Sequence, residues 1–187
     1  MTQAAGSVVG AARESGDLWV FGYGSLMWRP DFDYLERRSA RIHGWRRSLC
    51  ILSHVYRGTP ERPGLVLGLD RGGSCRGVAF RVAARRREET IAYLRGRELV
   101  TGVYLERRVI ARMADGREAT ALAYVADRRH PQYAGPLEPE RLLSIVAQGV
   151  GQSGANIDYV LNTQAHLREL GIRDPALEWL AAQLARR

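Results

Sequence analysis

The chain has 187 residues, 45% of them hydrophobic, with 28 basic against 20 acidic side chains and a formal net charge of +8. That is the size and balance of one ordinary domain with a sizeable core, and it excludes wholesale disorder. No apolar run approaches the roughly 20 residues that cross a bilayer, and Met1–Asp17 lacks the basic start and unbroken apolar stretch of a secretory signal, so the expected compartment is the cytoplasm.

Residues 1–17 are small, polar and aperiodic, and read as a flexible extension ahead of a domain over residues 18–187. Order is expected to begin at Leu18-Trp19-Val20-Phe21, a short strand that runs into Gly22 and Gly24. Residues 41–53 alternate imperfectly and predict a second strand, with Gly44 a candidate bulge. Pro60 and Pro63, set between Gly58 and Gly64, make this stretch loop. Two strands are expected next, Leu65–Leu69 and Gly77–Val82, joined by a hairpin turn through Asp70-Arg71-Gly72-Gly73-Ser74. Residues 86–99 change period and predict a helix, with Glu88 and Glu89 in the first turn, where acids suit the helix dipole. Residues 103–113 and 117–126 read as strands joined at Asp115-Gly116.

Beyond Pro131 the pattern is helical. Pro139 opens a helix with Leu142, Leu143, Val146 and Val150 on one stripe, and residues 153–170 carry Ile157, Val160, Leu161 and Leu167. Asp174 before Pro175 is an N-cap signal for a last helix with Leu177, Leu180 and Leu184. Short antiparallel strands followed by helices predict an α+β fold, with a bent or barrel-like sheet and a helical C-terminal part.

Several chemistries are excluded by residue type. All 28 basic residues are arginine, so there is no Schiff-base lysine and no phosphate-loop lysine. Cys50 and Cys75 make no zinc or CxxC signature and are expected reduced and buried. His43, His54, His130 and His166 show no metal-ligand spacing, so no metal and no cofactor is expected.

The densest cluster of special residues is Phe21-Gly22-Tyr23-Gly24-Ser25-Leu26. A dinucleotide fingerprint would need glycine where Met27 stands, and a nucleophile elbow would need glycine at positions 23 and 27. What remains is a backbone site, in which successive N–H groups form a concave anion binder, or a plain strand-ending turn. In the helix over residues 86–99, Ile91 and Leu94 define an apolar stripe, and the next position on it is Glu98. A carboxylate there is either a proton-transfer group with a raised pKa or half of an ion pair with Arg95 or Arg97.

Taken together these segments resemble the ChaC-type γ-glutamylcyclotransferases. The resemblance rests on Val20-Phe21-Gly22-Tyr23-Gly24-Ser25-Leu26-Met27-Trp28, on Gly58–Val66, on Gly77–Val82, on Tyr93-Leu94-Arg95-Gly96-Arg97-Glu98 and on Gly151–Tyr159. It implies a γ-glutamylcyclotransferase-like fold, a small mixed β-barrel flanked by helices, and glutathione as substrate, released as 5-oxoproline and cysteinylglycine. It also implies Glu98 as catalytic acid/base and Tyr23, Gly24, Ser25 and Leu26 as the loop that holds the γ-glutamyl group. Arg57 is a candidate contact for a substrate carboxylate, because arginine binds carboxylates bidentately. Asn156 and Tyr159 are candidates for the pocket wall, against helix capping and core packing. The competing reading is a non-catalytic basic protein that contacts nucleic acid, or a cation transporter as regulatory subunit. Against nucleic acid, the arginines are spread, with Arg85-Arg86-Arg87 the densest run, and the aromatics show no RNA-binding pattern. Against the transporter, no segment faces a membrane.

Overall fold

Leu18–Gly22 (β1) alternates so that both faces are buried, and this strand organises the fold. Leu18 and Val20 pack with Val82, Leu122 and Tyr124 against Leu94 of the helix Arg87–Glu98 (α1). Phe21 points the other way, into the main core with Ile42, Leu65, Leu69 and Phe80. The computed structural model describes residues 16–186, so all but the end of the expected extension over residues 1–17 lies outside the described residues. Asp17 accepts from the Ala84 N–H at 3.0 Å and pairs with Arg81 at 3.1 Å.

The sheet is a closed barrel in the order β1-β3-β2-β4-β5. Its long members are Glu36–Ser53 (β2) and Gly64–Val82 (β3), followed by Tyr104–Met113 (β4) and Glu118–Ala126 (β5). All neighbours are antiparallel except β1 and β5, whose parallel pairing of Trp19 with Ala121 closes the barrel. Closure leaves no free edge along most of the sheet.

The hairpin expected at residues 70–74 is absent. β3 runs straight through, paired with β2 from Gly64 opposite Ser53 to Arg81 opposite Glu36. Gly72 and Gly73, with φ of +96° and +70°, lie opposite the single residue Gly44, also at positive φ. They form a bulge that bends two long strands. The bulge expected at Gly44 is therefore present, with its extra residue on β3. The Asp115-Gly116 turn does join β4 to β5 as expected, with Gly116 at φ +87°.

Three helices cover one side of the barrel. Pro139–Gln148 (α2) buries Ile145 and Val146, Asn156–Glu169 (α3) buries Val160 and Leu167, and Pro175–Leu184 (α4) buries Leu177, Leu180 and Leu184. Asp174 caps α4 by accepting from the Leu177 N–H. Two details differ from the sequence pattern. Val150 lies outside α2 and is exposed, and α3 begins at Asn156 because Val150–Gly151 and Gly154–Ala155 first form a tight two-stranded turn. That turn packs so closely on residues 55–58 that a Cβ on Gly151 would stand 2.5 Å from the Val55 carbonyl oxygen. Two sequence motifs far apart in the chain are thereby pressed together. Among the described residues no helix is long and apolar enough to cross a membrane.

Candidate functional site

β2 pairs with β3 along its full length, but β1 reaches only the far half of β3, residues 78–82. The other edge of β3 near Leu65 and Leu67 is left without a strand, and side chains take the place of one. The Asn156 amide accepts from the Leu65 N–H at 2.7 Å and donates to the Leu65 carbonyl at 2.8 Å. Two residues on, the Tyr159 hydroxyl accepts from the Leu67 N–H, and the Tyr104 hydroxyl donates to the Leu67 carbonyl. A strand edge buried without such partners would be costly.

This edge is one wall of a cavity of about 190 Å³. Val66, Leu67, Tyr104, Tyr124 and Tyr159 line it from the barrel side. Phe21, Tyr23, Gly24, Ser25 and Leu26 line it from the end of β1 and the 3-10 turn Ser25–Met27 that follows, and Glu98 enters from the end of α1. The turn is pinned from behind, where Arg47 donates to the Tyr23 carbonyl at 2.7 Å. Neither Gly22 nor Gly24 takes a positive φ, and Gly22 serves close packing. A Cβ on Gly22 would lie 3.1 Å from the Leu26 Cβ. The N–H groups of Gly24, Ser25 and Leu26 open the turn, where first-turn donors have no intrahelical acceptor.

Glu98 is held on the buried stripe by Leu94, which has no exposure, and its own side chain is 18% exposed. Burial raises its pKa above the ordinary value, and the neighbouring Arg97 guanidinium works in the opposite direction. Burial also lifts the tyrosines around it, Tyr159 to about 12 and Tyr23 and Tyr104 well above 10.0. These hydroxyls stay protonated at neutral pH.

Both sequence readings of Glu98 have a physical basis. It lines the cavity, and it pairs with Arg97 at 3.2 Å. Arg95 goes elsewhere, in a bidentate pair with Glu106 at 2.8 Å for each bond. Arg97 is the residue that sequence reasoning undervalued. Its Nη2 donates to the Ser25 hydroxyl at 2.9 Å, and its Nη1 donates to the Arg29 carbonyl and the Tyr93 hydroxyl. One guanidinium therefore ties the turn after β1 to the carboxylate at the end of α1. The Ser25 hydroxyl accepts from a cation and makes no hydrogen bond to a histidine or carboxylate among the described residues, so it is not arranged as a nucleophile.

Two expected binding residues do not face the cavity. Arg57 donates through Nη1 to the Ser153 and Ala155 carbonyls and lies 5.4 Å over the Tyr159 ring. Through these contacts it braces the wall from outside the cavity lining. Asn156 is fully buried with its amide committed to Leu65. Tyr159 does line the cavity, as do Tyr23, Gly24, Ser25 and Leu26. Val66, Leu67, Tyr104 and Tyr124 were not foreseen, since nothing in strand alternation says which strand edge stays open. Cys50 and Cys75 are free and buried. No group of three or more His, Cys, Asp or Glu side chains with metal-holding geometry occurs among the described residues.

The family described as ChaC-like protein matches residues 18–187. The chain is 34% identical over 164 residues to the glutathione-specific gamma-glutamylcyclotransferase of Escherichia coli (strain K12), covering 88% of this chain and 71% of that one. It is 39% identical over 155 residues to glutathione-specific gamma-glutamylcyclotransferase 1 of Danio rerio, covering 81% and 79%. The fold matches a crystal structure of a glutathione-specific γ-glutamyl cyclotransferase from yeast with a TM-score of 0.81 at 22% identity, over 91% of this chain and 96% of that one.

Proposed function

The chain belongs to the ChaC-like protein family, and from that premise we propose that it is a glutathione-specific γ-glutamylcyclotransferase. In this reaction the α-amino group of the γ-glutamyl moiety attacks its own γ-carbonyl. A five-membered ring closes, the amide C–N bond breaks, and 5-oxoproline and cysteinylglycine leave. The nucleophile belongs to the substrate, in keeping with a site that offers no activated serine. The observation that carries the reading is a buried carboxylate, Glu98, in the wall of a cavity shared with the donor-rich turn at residues 23–26.

Glu98 accepts the proton that the substrate ammonium must lose and returns it to the departing amide nitrogen. Proton transfer of this kind contributes about 10²–10⁴-fold. N–H groups of the turn face the carbonyl oxygen as it becomes an oxyanion, worth roughly 3–4 kcal/mol for a well-placed donor. The tyrosine-lined walls hold the flexible γ-glutamyl chain in its cyclising conformer, which lowers the entropic part of the barrier. The protonated hydroxyls of Tyr104 and Tyr159 leave Glu98 as the acidic side chain of this cavity.

The reading places the work of the protein in the cytoplasm, in line with its two free thiols. Incubating purified protein with glutathione and measuring 5-oxoproline and cysteinylglycine tests it. Equimolar release of both is expected, and no release would refute it.

A further inference from the structure

Behind Glu98 lies a second cleft, of about 170 Å³, which shares Val66, Glu98 and Tyr104 with the first. Its remaining walls come from the end of β2 and the loop after it, from the segment that follows α1, and from Gln132. Glu98 therefore stands at a junction between two spaces. A base that serves an amide bond from such a place has one half of the substrate on each side. The γ-glutamyl half belongs with the turn at residues 23–26. The departing half must extend away from the ring-forming amino group, and the second cleft adjoins the first across the shared Val66, Glu98 and Tyr104.

The wall chemistry fits a short peptide. Val55, Val66, Val100 and Val103 give an apolar surface for a small side chain. At the mouth, Val55, Tyr56 and Val100 are 44%, 52% and 67% exposed, so they take little part in the core and remain available to cover a ligand. Two basic side chains line the cleft, Arg97 and His54. The Arg97 guanidinium is already shared among Glu98, Asp31, Ser25, Arg29 and Tyr93. The His54 ring makes no hydrogen bond or ion pair among the described residues, although its charge is felt by Glu61.

We propose that this cleft is the leaving-group subsite, which holds the cysteinylglycine portion with its thiol side chain against Val66, Val100 and Val103 and its terminal carboxylate on His54. The assignment rests on the cyclotransferase reading and adds to it a residue that selects for a free carboxylate. Removing a charge-assisted hydrogen bond costs affinity, and imidazole is a good donor to carboxylate.

The test compares glutathione with its glycine monoethyl ester, which lacks the terminal charge, in the wild type and in His54→Leu, which keeps a side chain of similar bulk but has no donor. The variant should lose about tenfold in kcat/KM for glutathione, through KM, as expected for one hydrogen bond to a charged group. The wild-type preference for the acid over the ester should collapse in the variant. An equal loss on both substrates in a folded variant would overturn the subsite while leaving the cyclotransferase reading intact. If the wild type releases no 5-oxoproline from glutathione, that reading fails instead. Calorimetric binding of cysteinylglycine to the wild type, weakened in His54→Leu, then decides the subsite separately, and equal binding by both proteins would overturn it.

Discussion

Replacing Glu98 with glutamine keeps the shape of the side chain and much of its hydrogen bonding but removes the ability to accept a proton. If Glu98 is the acid/base, kcat should fall by about 10²-fold or more, the range for such groups. Binding of glutathione should be largely kept, because the γ-glutamyl group also meets the turn at residues 23–26 and the tyrosine walls. The effect on stability follows from the two opposing influences on this carboxyl. Burial, the larger, raises its pKa in the folded state, and Arg97 at 3.2 Å only partly offsets it. A folded pKa above the unfolded one means that Glu98 favours the fold while protonated and loses that contribution as pH rises through the folded pKa. At neutral pH Glu98→Gln should thus melt at the same temperature or higher than wild type, and the gap should close as pH falls below the ordinary value of 4.5. The same shift sets the acid limb of wild-type kcat above the ordinary carboxylate range. Steady-state rates and thermal melts across pH, on one variant, read all of this. A folded variant that keeps more than about a tenth of wild-type kcat would refute the assignment, since loss of a general acid/base costs far more. A clear drop in melting temperature with near-normal turnover would assign Glu98 to its ion pair with Arg97 instead.

Three further outcomes follow from the geometry. Ser25→Ala should slow turnover without abolishing it, and mass spectrometry of wild-type protein during turnover should find no γ-glutamyl adduct; a stable adduct on Ser25 would contradict direct cyclisation. Arg97→Met should move the acid limb of the pH–rate profile to higher pH, because a cation that lowers the Glu98 pKa is gone, whereas Arg97→Lys should restore the limb but not full kcat, since an ammonium cannot reproduce the fork between Ser25 and Glu98. Unchanged profiles in both would remove Arg97 from the mechanism. Asn156→Ala leaves the buried N–H and carbonyl of Leu65 unpaired, at about 1–3 kcal/mol each. Denaturant unfolding should register a loss of that order, and a change much smaller than one such bond would mean that the β3 edge finds other partners.

The features legible in the sequence are those set by neighbours a few residues apart. The α1 period places Glu98 below Leu94 because positions i and i+4 share a helix face whatever surrounds the helix. Asp174 before Pro175 starts α4 because the cap uses a side chain and an N–H three residues on. Asp115-Gly116 makes a turn because Gly116 takes a positive φ that other residues resist. The same local chemistry at Gly72-Gly73 serves equally for a hairpin or a bulge, and only the pairing of β3 with β2 along its whole length selected the bulge. The floor of the cavity is set at still longer range. Asn156 reaches a backbone 91 positions away, and Tyr104 one 37 positions away, because the barrel leaves that edge of β3 without a strand. The partners of the arginines were decided in the same way. Arg57, Arg95 and Arg97 carry identical guanidinium groups, and what each one binds depends on which carbonyls and carboxylates the closed barrel brings within reach.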